Sequence, residues 1–256
     1  MAFPSVVARN TDAQGTNATS FTIDVPGHAS RQAGDIAVIC VVKDDDDALT
    51  GTVPPTGYTL LDNNVQGTSM RAIAFWRRMT GDGNDASTVT LTADSENWLS
   101  RGWLLRGAHA SSAPELVAAG GTSTGGASGA PSLNPSAWDV EDTLWLSWIG
   151  CSHQTTVTGF PSGFSQTGSS QTSDATTGNR VTQAFGELES AAASVDAGPY
   201  VLGTSGGWRT YTIAIRPAAL AEVDAGGSLA MPAPSLGGSA APHVDAVTVL
   251  AYPAAH

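Results

Sequence analysis

Trp98-Leu99-Ser100-Arg101-Gly102-Trp103-Leu104-Leu105-Arg106 and Trp208-Arg209-Thr210-Tyr211-Thr212-Ile213-Ala214-Ile215-Arg216 close the two halves of this chain, each with a tryptophan and an arginine eight positions apart. Working back from each, the same succession appears. Upstream of Trp98, Ala33-Gly34-Asp35 opens the apolar run Ile36 to Val42, followed by Pro55-Thr56-Gly57-Tyr58 and a stretch beginning at Arg71. Upstream of Trp208, Val140-Glu141-Asp142 opens Thr143 to Ile149, followed by Pro161-Ser162-Gly163-Phe164 and Arg180. Asp35 to Pro55 is 20 positions and Asp142 to Pro161 is 19; Gly57 to Trp98 is 41 and Gly163 to Trp208 is 45. Self-similarity at a long, nearly fixed offset means two copies of one supersecondary unit.

Each unit reads as β-structure. Ser20 to Val25 alternates polar and apolar residues and ends at Pro26-Gly27, a half-buried strand meeting a turn. Ile36 to Val42 is apolar on both faces and belongs near the centre of a sheet. Tyr58 to Leu61, Met70 to Met79, Ser87 to Thr92 and Trp98 to Arg106 complete the first unit. In the second, Thr143 to Ile149, Gly163 to Thr167, Arg180 to Glu187, Ala193 to Val195 and Trp208 to Arg216 follow in the same order. Short strands separated by turn signals argue for a sandwich or barrel. Only Glu187 to Ala193 reads as a helical turn.

A lone five-stranded sheet leaves one apolar face uncovered, so the units are expected to stack on a shared core. The expected fold is all-β, a pseudo-symmetric, jelly-roll-like β-sandwich over residues 1–217, with two separate small barrels as the alternative. Its repeat units are about 20–106 and 132–217, joined by a Gly/Ser-rich connection, 107–131, over the surface. Residues 218–256 contain no Lys or Arg, are punctuated by Gly and Pro, and read as an extended C-terminal arm. Near its end Val244, Val247, Val249 and Tyr252 mark one more strand, suited to adding to a neighbouring subunit's sheet edge, with a frayed tail as the other reading.

Among 256 residues, 41% are hydrophobic, enough for a core, but only 13% are charged, about half the usual share. The net charge of −12 and the single lysine, Lys43, leave no cationic cluster to displace counterions from phosphates, which argues against nucleic-acid binding. An anionic membrane surface would also repel the chain. Met1-Ala2-Phe3-Pro4 opens no charged and apolar leader, and no apolar run reaches bilayer-spanning length, so membrane insertion is not expected. Cys40 and Cys151, late in the first strand of each half, read as free buried thiols rather than a disulfide.

Signals for chemistry are sparse. Gly121-Thr122-Ser123-Thr124-Gly125 and Gly203-Thr204-Ser205-Gly206-Gly207 match a nucleophile-elbow pattern, but Ser123 falls in the connection and Ser205 precedes a strand rather than a helix. The histidines, His28, His109, His153, His243 and His256, have no ligand spacing. No cofactor is expected. Asp44 and Asp46, and Asp82 and Asn84, lie in oxygen-rich loops that make weak calcium candidates, with solvated turn charge as the commoner role. Glu187 and Glu189 are the only close glutamate pair. Trp145 and Trp148, three apart on one strand, face opposite ways, so one is a candidate platform for a sugar ring; burial between layers is the competing role. Arg106 and Arg216 are expected to pair with turn carboxylates.

The ordered motifs from Ala33-Gly34-Asp35-Ile36-Ala37-Val38 through Pro55-Thr56-Gly57-Tyr58-Thr59-Leu60-Leu61, Met70 to Trp76 and Trp98 to Arg106 resemble a β-rich module of tailed-bacteriophage tail, fibre and virion proteins and of related gene-transfer particles. The second copy, ending at Tyr211-Thr212-Ile213-Ala214-Ile215-Arg216-Pro217, is similar to that module's usual close, so the likeness spans roughly 5–217. Gly227-Ser228-Leu229-Ala230-Met231-Pro232-Ala233-Pro234-Ser235-Leu236-Gly237 resembles short repeats near the ends of such proteins. The resemblance implies a non-enzymatic structural or adhesive part of a virus particle and carries over no catalytic residue. The expectation is a virion protein in a tail-tip, tail-fibre or host-adhesion position, assembled in the bacterial cytoplasm as a homo-oligomer, a trimer or other ring, beside other virion proteins. Host surface glycan is a further expected partner. A capsid decoration or head-spike protein is the first alternative, and a lectin-like carbohydrate-binding module the alternative of another class.

Overall fold

The computed structural model describes residues 2–81, 83–122, 126–173 and 180–219. In the first half, β1 (Ser5–Asp24), β2 (Ile36–Asp44), β3 (Thr59–Gln66), β4 (Met70–Arg78) and β5 (Thr88–Arg106) make one antiparallel sheet in the order β1-β5-β2-β4-β3. The strand with apolar side chains on both faces, β2, lies at its centre and is buried from Ile36 to Lys43. Its neighbour β4 sends Ala72 and Ala74 to one face and Ile73 and Phe75 to the other, all fully buried.

The second half contains β6 (Glu115–Thr122), β7 (Gly126–Leu133), β8 (Asp142–Cys151), β9 (Val157–Gly159), β10 (Ser165–Ser173), β11 (Arg180–Ala191), β12 (Val195–Leu202) and β13 (Gly207–Ile215). Five of them form a sheet ordered β10-β11-β8-β13-β6, while β7-β12-β9 form a smaller sheet. With the short β9 left aside, and β6–β7 and β12–β13 each counted as one interrupted strand, the second sheet read from β6 runs first, fifth, second, fourth, third, as the first sheet does from β1. The sequence motifs fall at matching places. The turns Pro55–Tyr58 and Pro161–Phe164 are each closed by the aromatic's amide donating to the proline carbonyl, at 3.0 and 3.2 Å. Their glycines, Gly57 and Gly163, have φ of 84° and 83°, the left-handed geometry of a type II turn.

The two large sheets pack face to face, with β1 against β10, β5 against β11, β2 against β8, β4 against β13 and β3 against β6. Val38, Cys40 and Trp103 from one sheet meet Leu146, Trp148, Phe185 and Ile213 from the other in a shared core. Strands this apolar also need cover on their outer faces. In the first half the β1–β5 ribbon supplies it. Its register slips between Gln14 and Ser20, and its far end brings Phe21, Ile23, Val89 and Leu91 over Ile39, Val41, Ile73 and Phe75. In the second half the small sheet does the same work: Leu133, Val195 and Ala197 cover Trp145 and Ala214, while Tyr200 and Leu202 cover Ile149, Cys151 and Ala184. Each Val, Leu, Ile or Phe buried in these layers contributes roughly 1.5–3 kcal/mol.

Several expectations change. Residues 107–131 are not a plain connection, because they hold β6 and most of β7. The small residues that hid these strands are demanded by close approach: a Cβ at Gly120 would lie 2.3 Å from Gln66 Oε1, and one at Gly121 3.0 Å from Trp208 Cζ2. Thr210 and Thr212 then donate from β13 to the carbonyls of Gly129 and Pro131, tying β7 above the sheet. The stretch expected to begin β-structure at residue 20 begins it at Ser5, and the separate strands of 87–92 and 98–106 are one, β5. Glu187 to Ala193 is no helical turn, for β11 runs to Ala191. The arm markers Val244, Val247, Val249 and Tyr252 lie outside the described residues.

Candidate functional site

The two closing arginines each form a forked ion pair. Arg106 Nε and Nη2 donate to Asp35 at 2.9 and 2.8 Å, and Arg216 Nε and Nη2 donate to Glu141 at 2.9 and 2.7 Å. The pairing expected from sequence is present in both halves, and its role is to lock each central strand's entry to the last strand. Both cysteines are free and buried, and burial pushes each thiol above its ordinary range.

Trp145 and Trp148 do face opposite ways, but neither is a platform, since both are fully buried. The outer sheet, absent from the sequence reading, covers Trp145, whose indole donates to Ser190 O at 3.1 Å. Trp148 stacks on Tyr211 with centroids 5.0 Å apart and donates to Gln183 Oε1 at 3.0 Å. Ser205 is exposed ahead of β13, and Ser123 lies outside the described residues.

Among the described residues the calcium candidates do not converge. Asp44 accepts from the amides of Arg180 and Asp45, at 2.9 and 3.2 Å, and burial raises its carboxyl to about 6. The carboxylates that do meet are Asp45, Asp47 and Glu96, whose oxygens lie within 4.8 Å of one another, and Asp46 is not among them. Burial raises Glu96 to about 7, against the pull of nearby Lys43. The Lys43 ammonium donates to Asp44 O at 3.0 Å and sits 6.0 Å from the centre of the Trp98 ring. In the Gly81–Asp85 loop the working carboxylate is Asp85. It accepts from the amides of Thr80 and Gly81 and pairs with Arg77 at 3.0 Å, closing the turn. Asp82 is outside the described residues, and Asn84 belongs to the same turn.

A different cluster stands where β1 passes over β10 and β11. Arg9 Nε donates to Glu187 Oε1 at 2.7 Å, and Arg9 Nη2 donates to Glu187 Oε2. Trp103 Nε1 donates to the same Oε1 at 2.8 Å. Behind them Arg101, with a side chain 6% exposed, places Nη2 4.0 Å from Glu187 Oε1 and its guanidinium 3.9 Å from the centre of the Phe185 ring. Burial lowers Arg101 to about 10, and its Nε and Nη2 have no hydrogen-bond partner among the described residues. In front of the pair lies a cleft of about 580 Å3 lined by Val6, Arg9, Ser165, Glu187, Leu188 and Glu189 among others.

The opposite seam, where β3 passes over β6 and β13, is built otherwise. Asp62 Oδ2 accepts from Arg209 Nη2 at 3.1 Å and from the Tyr211 hydroxyl at 2.8 Å. Both charged side chains are nearly covered, at 13% and 11% exposure. Tyr211 is pushed well above its ordinary range, first by burial and then by the neighbouring Asp62 charge.

Sequence reasoning found Glu187 and Glu189 as a pair but not the partners of Glu187. Alternation along a strand sets residues two apart on one face, which was the available signal. Arg9 lay in a stretch read as no element at all, and Arg101 looked like any strand residue. Comparison of the chain with protein-family models, with curated proteins and with solved structures found no match in any of the three.

Proposed function

We propose that this chain is a non-enzymatic structural protein of the exterior of a phage-type virion, in a tail-tip, tail-fibre or host-adhesion position. The observation that carries the reading is the stack of two five-stranded sheets, each covered on both faces, with β1, β3, β6 and β10 as edge strands among the described residues. Such a stack is stiff, because a close-packed β-interior resists deformation. Its edges offer unpaired backbone groups to another chain. Edge strand β3 also exposes Leu60 and Val65, at 39% and 40%, beside those groups. The ordered motifs over 5–217 supply the kind of particle. Residues 218–256 supply the assembly arm, joining copies of the chain to one another or to other virion proteins.

Mass spectrometry of purified particles from the source strain tests this directly. The chain is expected among the particle proteins, in a fixed ratio to the other virion components. Its confinement to the soluble lysate of particle-producing cells would overturn the reading. Light scattering supplies the second measurement: the full chain is expected as a closed oligomer and a chain ending at Pro217 as a smaller species.

A further inference from the structure

We infer that the cleft at the β1–β10 seam is a binding site for a neutral saccharide, gripped by the Arg9–Glu187 pair and by Glu189 on its rim. The inference goes beyond the particle assignment and does not depend on it. It starts from the order of the polar groups. Arg9 is fixed by two bonds to Glu187, Glu187 is fixed in turn by Trp103 Nε1, and Arg101 holds the same carboxylate from behind. Little side-chain freedom remains to be lost when a ligand arrives, which is how a shallow polar site gains affinity.

The fork leaves one guanidinium nitrogen, Arg9 Nη1, without a hydrogen bond among the described residues, next to a carboxylate that still has free lone pairs. A donor and an acceptor lining one cleft match hydroxyl groups, each of which both donates and accepts. Glu189 is exposed and has no hydrogen bond or ion pair among the described residues, so it adds an acceptor, and the Ser165 hydroxyl adds a group that serves either way. Val6, half-buried on the wall, offers apolar surface to the C–H face of a sugar ring. The volume, about 580 Å3, falls within the range of roughly 300–1,000 Å3 usual for ligand pockets.

Charge selects the ligand class. Arg9 and the buried Arg101 share Glu187, and Glu189 on the rim balances the second cation, so the cleft carries no net positive charge, in a chain of net charge −12. A phosphate, sulfate or sialic acid carboxylate finds no unpaired cation there and meets the long-range repulsion of an acidic chain. A wholly apolar ligand would strip water from the carboxylates without replacing its hydrogen bonds.

The test uses the full chain on an array of neutral hexose and N-acetylhexosamine oligosaccharides, with sialylated and sulfated glycans alongside. The best neutral oligosaccharide is then titrated into 15N-labelled protein, following the Trp103 indole N–H. The expected result is a dissociation constant of about 1 mM or tighter and a saturable shift of that indole signal. Glu189→Gln and Ser165→Tyr both lie on exposed positions and are expected to keep the wild-type melting temperature while weakening binding at least tenfold. Binding restricted to sulfated or sialylated glycans would overturn the inference. So would the absence of any neutral hit, or neutral binding that Ser165→Tyr leaves unchanged. Any of these results leaves the particle-composition measurement standing by itself.

Discussion

The two seams of the sandwich are built from the same strand order and reach different ends. At one, β3 closes on β6 and β13, with Asp62 shared between Arg209 and Tyr211 and Gln66 pressed against Gly120. At the other, β1 packs on β10, and a cleft lies in front of the Arg9–Glu187 pair that ties it to β11. Where the first seam buries a tyrosine stacked on Trp148, the second buries Arg101 against Phe185 and Trp103. An aromatic side chain fills a seam and completes its own hydrogen bond. A guanidinium demands a carboxylate, and that carboxylate collects further partners that leave polar atoms at the surface. One polar seam holds the sheets together; the other also faces solvent with something to offer.

Removing the hub of the open seam should have the largest effect. Glu187→Ala leaves Arg101 buried without its counter-charge and takes the partners of Arg9 and Trp103. Denaturant unfolding is expected to show a loss of about 3–5 kcal/mol; a loss under 1 kcal/mol would mean that water already solvates Arg101. At the closed seam, Asp62→Ala should cost less, about 2 kcal/mol, because Arg209, 13% exposed, is less deeply buried than Arg101 at 6%. Equal losses would erase the contrast between the seams. Tyr211→Phe sharpens it further. The ring and its stack on Trp148 remain, Asp62 keeps Arg209, and the expected loss is about 1 kcal/mol for one hydrogen bond.

The smallest effect concerns pH. Asp44, which joins the halves through the Arg180 amide, and Glu96 are raised to about 6 and about 7 in the folded chain. A carboxyl raised on folding favours the folded state while it is protonated, so the folded chain holds protons that the unfolded chain has released. That contribution is complete below the ordinary carboxylate range and is lost as pH rises through about 6 to 7. The melting temperature is therefore expected to fall modestly between pH 5 and pH 7.5, and the double variant Asp44→Asn/Glu96→Gln to flatten that slope. Glu141, held below its ordinary range chiefly by its bonds to Arg216, works the other way and only at lower pH, where its contribution is lost on acidification. An unchanged slope in the double variant would place the pH response elsewhere.

Much of the fold was legible because its cues are local. Alternation and apolar runs mark β2, β4, β8, β11 and β13, and the Pro-x-Gly-aromatic turns carry glycines at positive φ as their residue types require. Strands β6 and β7 were missed for the converse reason. Their alanines, glycines and serines carry no periodic signal, and what makes them strands is the edge of β13 and the outer face of the sheet. The tryptophan platform failed in the same way: Trp145 was read against one sheet, and a second covers it.

By itself the sequence determined that the chain is β-structured, that it carries one motif succession twice, and that matched arginines meet acids at matched turns. Hydrogen-bonding geometry, side-chain alternation and turn conformation act over a few residues, so they are written in the order of residues. Which carboxylates meet, which indoles are covered and which seam opens were decided only by tertiary structure. Arg9 and Glu187 are 178 positions apart, and a contact at that distance along the chain exists only once two sheets have packed and their edges have come into register.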